Sequence, residues 1–330
     1  MAGFGNAVGP GGGVGTGITT ANPSRYVDIT DVLYEIVPLK KPLFHLSGDG
    51  PRPKDRFHQW MRRTYTTRAR NADAVGAVFN FVDANKLPTL DQFNYVQIFT
   101  KYIRVSDMEQ ATQHYAIPDL LDDQVKTELG ILGTEIEAAI WRESLDSISL
   151  GNMTVPRMQG VMMGIFCGGT TFTNMLGVVF TETILNNELA RLFDIGAEPQ
   201  DAWLGARLQN VVSGFTGGTN QTRFIEADRT TAIFSILEYQ SALQQVHFHI
   251  SRDVYSGTSS TSATLDNVAS QSGNSLVLLD MSMIRKCWLE PVLVERAPRT
   301  ALSMDVVAHC MLTMEWGHPH AHAWLANFSA

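Results

Sequence analysis

The sequence is short of positive charge, of cysteine and of long apolar runs. Among its 330 residues lysine and arginine number 25 against 33 aspartate and glutamate, a net charge of −8. A chain built to bind nucleic acid over its whole surface leans basic, so that class is disfavoured. The three cysteines, Cys167, Cys287 and Cys310, are far apart, odd in number and never in CxxC spacing. They read as reduced thiols of an intracellular protein rather than as a disulfide framework. The first 24 residues carry no charged side chain and no apolar core, so both halves of a secretory signal are missing and synthesis in the cytoplasm is expected. One uncharged stretch, Met158 to Thr181, is long enough for a membrane span, but five glycines, Gln159, Asn174 and four threonines break it. Such a segment inserts poorly.

Signature motifs of catalysis are also missing. There is no GxxxxGK[ST], GxGxxG, HExxH or GxSxG. HPHAH is the one compact group of candidate ligands; on a strand it would place His318, His320 and His322 on one face. No carboxylate or cysteine lies nearby to complete a zinc set, and Pro319 suggests an edge, so the bland reading is a solvated or interface strand face with no bound metal. A metal-dependent enzyme built on these histidines is the alternative. His247 and His249 take the same bland reading. The cysteines, on runs such as GIFCGG and AHCML, read as core thiols.

What the chain does contain is a sequence of distinct parts. Eight glycines between Gly3 and Gly17 mark a flexible arm with nothing to bury. Asp28 then caps a short helical pattern of Ile29, Val32, Leu33, Ile36 and Val37, stopped by Pro38 and Pro42. Residues 51 to 70 hold Arg52, Lys54, Arg56, Arg62, Arg63, Arg68 and Arg70, with Asp55 the lone acid, interleaved with Phe57, Trp60 and Tyr65. A β-rich run, VFNFV from Val78, follows, so a long two-stranded excursion is expected. NYVQIFTKYIRVS, from Asn94, leads back to a core.

From Asp119 to about Ile148 the residues Leu121, Val125, Leu129, Leu132, Ile136 and Ile140 draw one apolar stripe of a long helix. Its acidic residues, among them Asp122, Asp123, Glu128 and Glu135, oppose only Lys126 and Arg142. Gly130 and Gly133 in its middle suggest close packing. Shorter helices are expected from Thr181 to Gly196 and from Asp201 through Phe215. Beyond them QVHFHI and the alternating Met304 to Trp316 read as strands, separated by a loop from Gly257 to Gly273. The basic block has two readings: a nucleic-acid patch, or a partner for the acidic helix, which within one monomer is a solvated salt-bridge surface and between copies steers assembly.

This order of parts resembles the major capsid proteins of tailed bacteriophages, whose α+β fold is named after phage Hong Kong 97. DVLYEIVPLKKPLFHL, then Trp60, then NYVQIFTKYIRVS, is similar to one branch of that family. Lys41 stands where that branch has threonine, and Arg62 and Arg63 where acidic residues are common. The resemblance implies an arm and linker over 1–50, an extended loop over 51–108 and a peripheral domain with its spine helix over 109–155. It implies an axial domain over 156–274, with strands near 223–250 as candidates for return to the peripheral domain, and closing peripheral strands over 275–330. It further implies a structural shell protein, no enzyme and with no cofactor, forming hexamers and pentamers that enclose double-stranded DNA without sequence-specific binding. A portal and a separate scaffolding protein are the implied partners, with a decoration or cement protein left open. The contact candidates between subunits are then Arg52, Lys54, Arg56, Trp60, Arg62, Arg63, Arg68 and Arg70 against Asp122, Asp123, Glu128 and Glu135.

Overall fold

The computed structural model describes residues 40–63, 75, 89–112, 117, 119–143, 146–150, 153–168, 171–215, 238–241, 243–254, 274–299 and 301–329. The arm, the helix expected from Asp28, Arg68 and Arg70, the VFNFV run and the loop from Gly257 to Gly273 lie outside these residues. In chain order the elements begin with α1 (Pro42–Leu46), β1 (Gly48–Asp49), β2 (Phe57–Arg63), β3 (Thr89–Tyr95) and β4 (Gln97–Ser106). Next come α2 (Asp107–Ala111), α3 (Leu120–Arg142), β5 (Asp146–Leu150), β6 (Met153–Arg157), α4 (Val161–Gly168) and β7 (Phe172–Asn174). Then follow α5 (Glu182–Ile195), β8 (Asp201–Leu204), α6 (Ala206–Ser213), β9 (Glu238–Gln240) and β10 (Gln245–Ile250). The chain closes with β11 (Asn274–Leu279), β12 (Arg285–Arg296), β13 (Ser303–Glu315) and β14 (Ala323–Phe328).

Two sheets organise the molecule. A four-stranded sheet runs β1-β12-β13-β4, and a six-stranded mixed sheet runs β7-β14-β11-β8-β10-β9. Consecutive residues of β11 point to opposite sides, and both sides are buried. Val277 and Leu279 join Ile136, Ile140, Trp141, Met162 and Trp324 in one core. Leu276 and Leu278 join Leu185, Leu189, Leu208 and Leu325 in another, beneath α5 and α6. A strand covered on both faces reads as a continuous apolar run, which is what SLVLL is. The strands from Ser275 onward divide between the sheets, β12 and β13 extending the one that holds β4 while β11 and β14 enter the other.

The long helix α3 starts where its sequence places it. Asp119 is the N-cap, its carboxylate accepting from the Leu121 and Asp122 amides. It ends at Arg142 rather than near Ile148, because Glu143 turns extended and residues 146–150 pair with β6 as a hairpin. The close packing suggested at Gly133 is present, since a Cβ there would collide with the Lys41 side chain. Helix α5 matches its expectation at both ends: Thr181 caps it and Gly196 closes it in the left-handed conformation, φ 93°. The helix expected from Asp201 is a correction. Asp201–Leu204 form β8, between β10 and β11, and only from Ala206 does a helix follow. No helix among the described residues is long and apolar enough to cross a membrane.

Candidate functional site

β2 and β3 form an antiparallel hairpin stem separate from both sheets, in register from Phe57 opposite Tyr95 to Arg63 opposite Thr89. Because side chains alternate, the stem has two unlike faces. Toward the body lie His58, Trp60, Arg62 and, from β3, Asn94. The Asn94 amide donates to the Gln159 carbonyl at 3.0 Å and the Met314 carbonyl at 2.8 Å, and its oxygen accepts from the Gln159 amide at 2.7 Å. It is fully buried with its hydrogen-bonding groups used, the arrangement that makes a buried polar residue stabilising. Trp60 Nε1 donates to the Gly317 carbonyl at 2.8 Å and its ring meets Trp316 edge-on at 5.0 Å. Gln97, one residue beyond the turn into β4, accepts from the Met158 amide at 3.0 Å.

The opposite face of the stem is apolar and open. Phe57 is exposed, as are Phe93 and Met61, the last at 76%. On β4 Ile98 and Tyr102 are also exposed, Tyr102 at 78%, and so are Val292, Leu293 and Val294 along the outer half of β12. Alternate β4 residues Phe99, Ile103 and Val105 turn inward toward α3 and β13. Single exposed apolar residues are ordinary, but runs along adjoining elements mark surfaces that meet something.

The structure separates the contact candidates. Arg52 donates to the Leu289 carbonyl of its own subunit at 3.0 Å, and Arg56 sits over the Phe57 ring at 5.7 Å. Trp60, expected at a contact between subunits, anchors its own subunit. Arg62 faces the body as well, with buried Nε and Nη1, while Lys54 and Arg63 face solvent. On α3 Glu135 holds Lys101 at 2.5 Å and Glu128 approaches the same ammonium at 3.7 Å; this hydrogen-bonded pairing raises the Lys101 pKa. Asp122 pairs with Lys126 one turn on, and Asp123 is half-buried beside it.

A second anchoring group had no signal in the sequence. Glu137, fully buried on α3, accepts from the Leu43 amide at 3.0 Å, the Phe44 amide at 2.8 Å and Trp141 Nε1 at 3.1 Å. It thereby satisfies the start of α1 from another element. Burial pushes the Glu137 carboxyl above its ordinary range, against the pull of these donors.

The histidines fall elsewhere than expected. Pro319–Ala321 make a single 3₁₀ turn, so His318, His320 and His322 do not share a strand face. His322 is fully buried, with Nδ1 accepting from the Asp280 amide and Nε2 bonded to the Trp316 carbonyl at 2.9 Å. Burial lowers all three, His318 to about 4. Cys287 and Cys310 are buried thiols pushed up to about 12 and about 11, poor nucleophiles, whereas Cys167 is exposed at the end of α4, contrary to the core reading.

A split stem of this kind, one face tied down and one offered outward, suits a subunit repeated in a shell. The model of the SU10 major capsid protein family matches residues 12–329. The chain belongs to the SU10 major capsid protein family. Its role is structural, as a repeated capsid subunit, and its fold is the Hong Kong 97 type. Among solved structures it is similar to the capsid of Cyanophage A-1(L), with 10% identity and a TM-score of 0.67 over 94% of this chain and 99% of that one. The Gordonia phage Cozz structure matches with 13% identity and a TM-score of 0.59 over 98% and 99%. The holo-SrpI encapsulin complex of Synechococcus elongatus PCC 7942 shares the fold too, at 12% identity, TM-score 0.55 and 93% of each chain. Fold likeness of this degree does not choose between a phage shell and an encapsulin; the family match does. No curated protein matches the chain in sequence.

Proposed function

We propose that this subunit assembles as hexamers and pentamers into an icosahedral shell enclosing double-stranded DNA, with the outward face of the β2–β3 stem laid on a neighbouring subunit. The observation that carries the reading is the stem's two-faced character, with His58, Trp60 and Asn94 bound to the body and Phe57, Met61 and Phe93 exposed. A free two-stranded stem is marginal in water, and burial of its apolar side against a second copy removes that weakness. Lys54, Arg56 and Arg63 would then face acids of the neighbour. Asp123 is the favoured target, because Glu128 and Glu135 already hold Lys101 and Asp122 already holds Lys126. Arg68 and Arg70 belong to the same reading from sequence alone. A portal, a separate scaffolding protein, a decoration protein and assembly in the cytoplasm of a bacterial host complete it. An acidic chain around DNA fits containment without adhesion, since phosphate binding needs clustered positive charge.

The test is Lys54→Glu combined with Arg63→Glu, followed by electron microscopy and circular dichroism. Folded subunits with fewer closed shells and altered salt sensitivity are expected, because exposed pairs are each worth about 0–1 kcal/mol yet recur in every subunit. Shells at normal yield with unchanged salt dependence would refute the charge contact.

A further inference from the structure

Three side chains far apart in sequence converge where the hairpin stem meets the four-stranded sheet. His58 comes from β2, Cys287 from β12 and Glu315 from β13. His58 Nε2 lies 3.3 Å from Glu315 Oε2 and 3.6 Å from Cys287 Sγ, and Cys287 Sγ lies 4.0 Å from Glu315 Oε2. Within the described residues this is the one group of three or more histidine, cysteine or acidic side chains with ligand atoms so gathered. His58 and Cys287 are buried and the Glu315 side chain is 15% exposed. Gly50 closes the side over the sulfur, since a Cβ there would collide with Sγ.

These separations match a coordination polyhedron. Zinc bonds of about 2.0–2.1 Å to nitrogen and oxygen and about 2.3 Å to sulfur, set tetrahedrally, put nitrogen and oxygen about 3.3 Å apart and sulfur about 3.5 Å from either. Two of the observed distances agree within about 0.1 Å, and the third needs a shift of about half an ångström, within reach of a glutamate rotamer. We infer that His58, Cys287 and Glu315 form a zinc site that staples the base of the hairpin stem to the capsid subunit's body. The mixed nitrogen, sulfur and oxygen set excludes magnesium and calcium, which take oxygen ligands, and suits zinc. On binding, the Cys287 thiol gives its proton to solvent and the sulfur bonds the metal as thiolate; no electron is transferred. The partly open Glu315 side leaves the fourth position for water. His58 and Cys287 are 229 residues apart, so one ion would fix the angle at which the stem leaves the body.

The test is a cobalt(II) titration of the purified, chelator-stripped protein, with elemental analysis after zinc loading. One cobalt per subunit is expected, with a thiolate-to-cobalt charge-transfer band in the near ultraviolet that zinc abolishes. Cys167→Ser and Cys310→Ala should keep the band, and Cys287→Ser should lose it. Glu315→Gln should weaken binding at least tenfold. If Cys287→Ser does not fold, retention of the band in the other two cysteine variants assigns it to Cys287 by elimination. No stoichiometric uptake by the wild-type protein, a band that survives Cys287→Ser, or a band lost with Cys167 or Cys310 would overturn the site.

Discussion

The two sheets of this subunit differ in what covers them. The six-stranded sheet is closed at its centre: every residue of β11 is buried, and its alternate side chains feed two separate cores. The four-stranded sheet is covered where α3 packs on β4 and β13, and from Pro291 to Arg296 every residue of β12 is exposed. The hairpin stem continues that openness, with its apolar outward side chains exposed. One region can therefore fold on its own side chains. The other has the surface chemistry of something still to be covered, and in a capsid subunit the available cover is another subunit.

Substitutions that strike the closed region should produce the largest effects on folding. Trp324→Ala removes a side chain 1% exposed, packed against Phe172 at 4.9 Å, and is expected to cost about 3–5 kcal/mol in denaturant unfolding. In the open region Met61→Ser should change unfolding by no more than about 0.5 kcal/mol while lowering the yield of shells. If Met61→Ser unfolds the subunit as Trp324→Ala does, the two regions do not differ in the way described.

The next effect lies at the joints between regions. Glu137→Gln keeps one acceptor oxygen for three donors, two of them buried, so about 1–3 kcal/mol should be lost, read from thermal or chemical unfolding. Trp60→Phe deletes the bond to the Gly317 carbonyl and part of the ring's contact with Trp316, and should cost about 1–3 kcal/mol. Faster hydrogen exchange in β2 should accompany it, with β11 unchanged.

The smallest effect is a pH dependence at the turn beside the stem. Burial lowers His318 to about 4, helped by His320, Arg62 and His322 around it. Its folded pKa thus lies below the unfolded value near 6.5, so between those values the unfolded chain binds the extra proton. Stability should therefore fall as pH drops from about 6.5 toward 4, and His318→Gln should flatten part of that decline. A melting temperature whose pH slope is the same in both proteins would remove His318 from the explanation.

Much of this was legible in the sequence where a local rule decides the outcome. The cap at Thr181 and the stop at Gly196 fix α5, and Asp119 fixes the start of α3. NYVQIFTKYIRVS shows the return strand, and the structure explains its polar members: Asn94 and Gln97 bond backbone groups of the segment around Met158. β8 was illegible because DAWL is covered on both faces, leaving no alternation to distinguish it from a helix turn. The end of α3 was overrun because Leu145, Ile148 and Leu150 continue an apolar pattern into β5. HPHAH looked like a strand face, yet Pro319 begins a turn. Glu137 and the His58, Cys287, Glu315 cluster had no sequence signal at all, since each is made by single residues brought together across the fold.

Hydrogen exchange measured on isolated capsomers or subunits and again on closed shells tests the comparison most directly. The open region, β2, β3 and residues 291–296 of β12, is expected to gain strong protection on assembly, while β11 and β14 stay as slow as before. Equal exchange of the stem and outer β12 in both states, with normal closed shells, would contradict the claim that neighbouring subunits complete this part of the molecule.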